Sequence, residues 1–140
     1  MKNIEHYSLM KNADPLYGSL TAIEGAVDIP FDVKRVYYIY DVPNEVRHGF
    51  HSHVDLHQVL ICVHGSVKIL TKTPFEEQVI ELSRPNKGLY IGPMIWREMY
   101  DFSEGAVLLV LASEHYTEDD YIRDYAKYKE MALSFFGGEK

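Results

Sequence analysis

Five of the seven histidines fall between His48 and His64, and the densest group is Gly49-Phe50-His51-Ser52-His53. Imidazole titrates near neutrality, so it takes and gives protons at physiological pH, and its neutral form also ligates metals. In an extended strand residues i and i+2 point to one face. His51 and His53 are therefore expected side by side, with Phe50, Ser52 and Val54 facing the other way. Two imidazoles in one pocket make either part of a metal site or an acid–base pair. The inert alternative is two histidines on a solvated strand face.

Charge narrows the choice of partner. The 140 residues carry 14 Lys plus Arg against 21 Asp plus Glu, a net charge of −7. That balance excludes a broad nucleic-acid footprint but leaves room for a local basic pocket holding a small anion. Lys34 and Arg35 beside a strand are candidates for such a pocket, or else solvated strand-edge charges; Arg can hold a diphosphate bidentately. The single cysteine, Cys62, permits no internal disulfide and sits in an apolar run, where it reads as core. Nothing at the N-terminus resembles a signal peptide, and the apolar runs are too short to span a bilayer, so a cytoplasmic protein is expected.

The elements that position the histidines read as strands. Gly and Pro recur about every ten residues, and between them lie runs rich in Val, Ile, Leu and Tyr: residues 33–40, 58–63, 66–71, 77–82, 88–91 and 106–111. Many short strands at this spacing point to a single all-β domain, a sandwich or barrel. His64-Gly65 between two apolar runs reads as a tight hairpin turn. After Thr117, a candidate N-cap, Glu118, Asp119 and Asp120 suit a first helical turn. Tyr121, Ile122, Tyr125, Tyr128, Met131 and Ala132 follow at helical spacing, and Gly137-Gly138 closes the segment. One amphipathic helix over about 118–135, covering an end of the β-structure, is the expectation.

From His53, four residues lead to Gln58 and six more to Gly65. This spacing resembles the first motif of the cupin superfamily, His-x-His-x(3,4)-Glu-x(6)-Gly, whose fold is a double-stranded β-helix or jelly roll. Gln58 stands where many cupins have a metal-binding glutamate. The region of the second motif, Gly88 to Met99, has no histidine, although Glu98 offers one carboxylate. A transition-metal site wants three or four ligands. A metal-free cupin with proton chemistry at the histidines is therefore favoured.

Longer strings resemble one family more closely. They include Ile29-Pro30-Phe31-Asp32-Val33-Lys34-Arg35-Val36-Tyr37-Tyr38-Ile39, Gly49-Phe50-His51-Ser52-His53, Leu56-His57-Gln58-Val59-Leu60-Ile61-Cys62 and Gly88-Leu89-Tyr90-Ile91-Gly92-Pro93. Trp96-Arg97-Glu98-Met99, Leu111-Ala112-Ser113-Glu114-His115-Tyr116 and Asp120-Tyr121-Ile122-Arg123 complete the match. Together they are similar to the dTDP-4-keto-6-deoxyglucose 3,4-ketoisomerases, the WxcM-like cupins. The resemblance implies an isomerase that moves a ketone from C4 to C3 of a dTDP-linked 6-deoxyhexose, ahead of amination at C3 for bacterial surface glycans. It implies no metal and no cofactor, and a homodimer with N-terminal strands, about residues 1–24, exchanged between subunits.

The resemblance also assigns residues. His51 maps to the presumed base and His53 to its partner in proton shuttling. Tyr37 donates to a developing oxyanion, or is a strand tyrosine with a buried ring. Gln58 holds one imidazole in a fixed tautomer, or is an interior polar residue satisfied by backbone. The family commonly has Arg directly before the Gly of Gly-x-His-x-His; here that residue is His48, with Arg47 one earlier, and a one-residue change reverses the face in a strand. Trp96 stacks on the substrate or packs in the core. Members that leave a galacto product tend to have Arg and His where this chain has Tyr17 and Arg97, so the resemblance implies the gluco product. Otherwise Tyr17 packs at a turn and Arg97 pairs with Glu98 or another carboxylate. Within enzymes the runner-up is a sugar 3,5-epimerase; a metal cupin and a non-catalytic sugar-nucleotide-binding module are the others.

Overall fold

A computed structural model describes residues 1–137. The chain folds into two five-stranded antiparallel sheets. The first runs β1 (Ile4–Ser8), β9 (Lys87–Ile91), β6 (Gln58–His64), β11 (Val107–Ala112), β4 (Arg35–Ile39) across its width. The second runs β12 (Tyr121–Ile122), β5 (His48–His53), β10 (Trp96–Tyr100), β7 (Val67–Lys72), β8 (Glu77–Leu82). A hairpin of β2 (Asn12–Asp14) and β3 (Gly18–Leu20) stands apart and pairs only with itself among the described residues. This is the jelly roll expected of a cupin, with a C-terminal helix.

Alternation explains the layering. Leu60, Cys62, Leu89, Ile91, Leu108 and Val110 of the first sheet meet Val67, Ile69, Ile80, Leu82 and Met99 of the second in the shared core. Their neighbours on the outer side of the first sheet, Val59, Ile61 and Leu111, lie under Leu9, Ile29 and Phe31 of the N-terminal segment. Burial of each such side chain contributes roughly 1.5–3 kcal/mol. Cys62 is fully buried, as expected.

Two expectations fail for topological reasons. His64-Gly65 is no hairpin turn: β6 and β7 belong to different sheets, and Gly65, at φ +76°, carries the chain from one to the other. The expected helix over 118–135 starts seven residues late. Glu118–Asp120 form one 3-10 turn, Tyr121–Ile122 pair with β5, and only Tyr125–Gly137 are helical (α1). Thr117 makes no side-chain cap; the Asp124 carboxylate accepts the Ala126 N–H at 2.9 Å instead. Gly138, the other half of the expected stop, lies outside the described residues. The helix packs Tyr128 and Ala132 against Trp96 and Ile122, on the outer face of the second sheet rather than over an end. Among the described residues no helix is long and apolar enough to cross a membrane.

Candidate active site

Strand β5 delivers both central histidines inward, as alternation requires. Their rings stand 4.9 Å apart between centroids, nearly perpendicular, and the Tyr121 ring packs on both, at 5.0 Å from His51 and 4.3 Å from His53. His53 is 1% exposed and His51 half-buried. Burial, and after it the Arg97 guanidinium, lowers the pKa of His51 to about 3 and pushes His53 down as well. Both imidazoles are neutral at pH 7, the form that accepts a proton.

A β-bulge reshapes the start of the strand. His51 opposes Arg97, Gly49 opposes Glu98 and His48 opposes Met99, so Phe50 is the extra residue. Gly49 and Phe50 take φ of +94° and +58°. The bulge shifts the alternation by one. His48 therefore turns inward, packs edge-on against Phe102 at 5.9 Å and lines the same cavity as His51. Arg47 turns outward, pairs with Glu98 at 2.8 Å and lies over the Tyr100 ring.

Beneath the histidines runs a polar bridge. Arg97 is fully buried, and its Nη1 donates to Gln58 Oε1 at 2.5 Å. A guanidinium has only donors, so the Gln58 amide must present its oxygen there and its NH2 to the other side. That NH2 donates to Tyr37 Oη at 3.0 Å. The phenol lone pair is thereby used and its O–H remains to donate elsewhere. Gln58 thus holds Tyr37 and Arg97, not an imidazole, which corrects the expectation that it fixes a histidine tautomer. Among the described residues Arg97 pairs with no carboxylate; Glu98 on the other face takes Arg47 and the Trp96 indole N–H. Burial lowers the Arg97 pKa to about 10, which still leaves a cation at pH 7. Trp96 packs against Tyr125 and Tyr128 of the helix, which makes it core and not a stacking platform.

Two cavities of about 380 and 360 Å³ open here and share Arg35 and Tyr121 as a common wall. His53 and Asp120 line the first, His51, His48 and Tyr37 the second. The Arg35 guanidinium lies over the Tyr37 and Tyr116 rings, and its Nε is buried without a hydrogen bond among the described residues. Lys34, one residue earlier, faces out to Glu114 at 3.2 Å. Arg123 reaches the second cavity but is already held in a two-point pair by Glu118. Among the described residues Arg35 therefore lines both cavities without an ion pair.

Tyr17 is not in this site. It is 86% exposed at the tip of the β2–β3 hairpin, so one chain does not bring Tyr17 and Arg97 together. The N-terminal segment expected to cross to a second subunit is, for residues 4–8, paired with β9 of its own chain.

Asp120, Tyr121 and Arg123 were not among the expected site residues. His53 Nδ1 lies 3.0 Å from Asp120 Oδ2, while His53 Nε2 is buried with no hydrogen-bond partner among the described residues. The available signal was the alternation of Tyr121 and Arg123 about Ile122, which fits a strand as well as a helix. Among the described residues no group of three or more His, Cys, Asp or Glu is placed to hold a metal ion.

Comparison with known proteins agrees with this geometry. The family described as WxcM-like, C-terminal (FdtA) matches residues 2–133. A TDP-4-oxo-6-deoxy-alpha-D-glucose-3,4-oxoisomerase of Aneurinibacillus thermoaerophilus is 50% identical over 113 residues, 81% of each chain. The H51N mutant of the 3,4-ketoisomerase QdtA from Thermoanaerobacterium thermosaccharolyticum, in complex with TDP-4-keto-6-deoxyglucose, is 57% identical and superposes with a TM-score of 0.95 over 97% of this chain and 98% of its own. The TDP-quinovose 3,4-ketoisomerase WlaRB of Campylobacter jejuni is 44% identical, with a TM-score of 0.89 over 93% and 99%. With a jelly roll, two inward neutral imidazoles and a family match over nearly its whole length, the chain belongs to the WxcM-like (FdtA) family.

Proposed function

We propose that this chain is a sugar-nucleotide 3,4-ketoisomerase that converts dTDP-4-keto-6-deoxy-D-glucose to dTDP-3-keto-6-deoxy-D-glucose. The observation that carries it is the pair of neutral imidazoles 4.9 Å apart beside Tyr37 and the buried Arg97. The C3 proton is acidified by the adjacent C4 ketone. His51 removes it, and the enediolate charge falls beside the Tyr37 O–H and the Arg97 cation, the kind of fixed donor and charge that stabilise an oxyanion. A proton then passes from O3 to O4 and another returns to C4. Each well-placed transfer contributes about 10²–10⁴-fold in rate. Arg35 holds the diphosphate. The relatives at 44–57% identity are ketoisomerases, which favours this reaction over 3,5-epimerisation. The 3-keto product is the electrophile that amination at C3 requires, and this supports a place in the making of aminodeoxy sugars for surface glycans.

A homodimer completes the proposal. The β2–β3 hairpin, with Leu16, Tyr17 and Leu20 exposed, is the element left to dock on a second copy. Tyr17 then bears on the partner's pocket, and with Arg97 it favours the gluco product.

The test is incubation with dTDP-4-keto-6-deoxyglucose in D2O, followed by NMR. Formation of the 3-keto isomer with deuterium at C4, and deuterium at C3 of the recovered substrate, is expected, and H51N should abolish both. Binding without label exchange would reduce the chain to a sugar-nucleotide receptor.

A further inference from the structure

The two imidazoles are not equivalent. Among the described residues His51 has no carboxylate in hydrogen-bond reach, whereas His53 Nδ1 meets Asp120 Oδ2 at 3.0 Å. Asp120 is anchored independently, because its Oδ1 accepts the Asp55 N–H at 2.9 Å. It is also fixed in register, because the next residue, Tyr121, pairs with His53 across β12 and β5. An ionised carboxylate only accepts, so the proton between them belongs to Nδ1 of the imidazole. The free lone pair of His53 is then on Nε2, the buried nitrogen with no hydrogen-bond partner among the described residues. A buried polar atom left unsatisfied in a site built to this degree points to a ligand group that satisfies it.

We propose that Asp120 is a positioning residue: it holds His53, the proton-shuttling partner that the resemblance implies, as the Nδ1–H tautomer with Nε2 turned to the substrate. This rests on the ketoisomerase function proposed above. After His51 has taken the C3 proton, the enediolate has a hydroxyl at O3 and the charge at O4. His53 Nε2 takes the O3 proton and becomes an imidazolium facing the Asp120 carboxylate. It gives the same proton to O4 and returns to its starting form. The electron pair on O3 re-forms a carbonyl as C4 takes the proton from His51. Two protons leave and two arrive, with no net change in either histidine. Asp120 stabilises only the charged intermediate of this relay and has no part in the C3 step.

The experiment is Asp120→Asn in the full chain, whose side-chain oxygen can still accept the Asp55 N–H. Deuterium exchange at C3 of dTDP-4-keto-6-deoxyglucose and formation of the 3-keto product are measured together. Exchange should stay within about threefold of the unsubstituted protein while product formation falls about 100-fold or more. Adding H53N to D120N should cost less than about a further threefold, since both act on one step. Equal loss of both rates, loss of neither, or fully multiplicative loss in the double variant overturns the proposal. A readout free of substitution is the 15N spectrum of His53, where Nε2 should be the unprotonated nitrogen; a protonated Nε2 also overturns it. Failure of the unsubstituted protein to make any 3-keto sugar would instead sink the ketoisomerase function, which separates the two outcomes.

Discussion

Neutral buried histidines make the fold acid-sensitive in a calculable way. An unfolded histidine titrates near 6.5, whereas burial and Arg97 hold His51 at about 3 and also lower His53. Between these limits the unfolded chain binds more protons than the folded one, so stability rises with pH. The contribution is complete above about pH 6.5 and is lost progressively as pH falls toward 3. From pH 7 to pH 5 each histidine that stays neutral in the fold withdraws about 2 kcal/mol, so the pair withdraws about 4. That is a large share of the roughly 5–15 kcal/mol that holds a domain together. Asparagine does not titrate. Urea unfolding at pH 5, 6 and 7 should therefore show H51N and H53N each losing about 2 kcal/mol less than the unsubstituted protein over the interval, and the double variant about 4 less. Other groups titrate identically in all four proteins and cancel from the differences. Equal pH dependence in the unsubstituted protein and the double variant would mean that these imidazoles protonate freely in the folded state, and the neutral-base assignment would fall with it.

Other perturbations probe the supports of the site. Gln58→Leu strands the Arg97 Nη1 and the Tyr37 hydroxyl and should cost about 2–4 kcal/mol in urea unfolding, with turnover falling too; a loss under about 1 kcal/mol would deny the bridge its role. Gly49→Ala puts a Cβ 2.8 Å from the Arg97 carbonyl oxygen at φ +94°, and should destabilise by about 1–3 kcal/mol and lower kcat by displacing His48 and His51. An alanine variant with normal stability and rate would show that the bulge tolerates ordinary geometry. Arg35→Ala should raise KM for the dTDP-sugar about tenfold or more with kcat little changed, while Lys34→Ala leaves KM alone; the reverse pattern would move the phosphate contact to Lys34. Tyr17→Arg combined with Arg97→His should shift the product toward the galacto-configured 3-keto sugar, read by NMR, with C3 exchange retained; a purely gluco product at normal rate would remove both residues from stereocontrol.

The family and its central chemistry were legible in the chain because they rest on short-range rules. Alternation alone places His51 and His53 on one face, and the strings around them are contiguous. The core runs from 58 to 63 and from 106 to 111 declare themselves by composition, since strands buried on both faces need little else. Segment 118–135 was misread for a definite reason. Tyr121, Ile122, Tyr125 and Tyr128 satisfy helical spacing, but the backbone of Tyr121–Ile122 is engaged by the edge of β5, and the helix waits for Asp124. Pairing with a strand some 70 residues earlier leaves no local mark.

By itself, then, the sequence determined the family, the inward pairing of His51 and His53 and the all-β frame that carries them, because residue type and a period of two are local properties. Only the tertiary structure decided what surrounds them. It turned His48 inward and Arg47 outward through one extra residue in β5, a parity that a sequence count cannot resolve. It gave Gln58 to Arg97 and Tyr37, and Asp120 to His53, by setting β6 two strands from β4 in one sheet, facing it with β10 of the other, and laying β12 along β5. It also removed Tyr17 from its own chain's pocket to an exposed hairpin tip. Each of these depends on which strand lies beside which, and that is fixed by packing two sheets over one core.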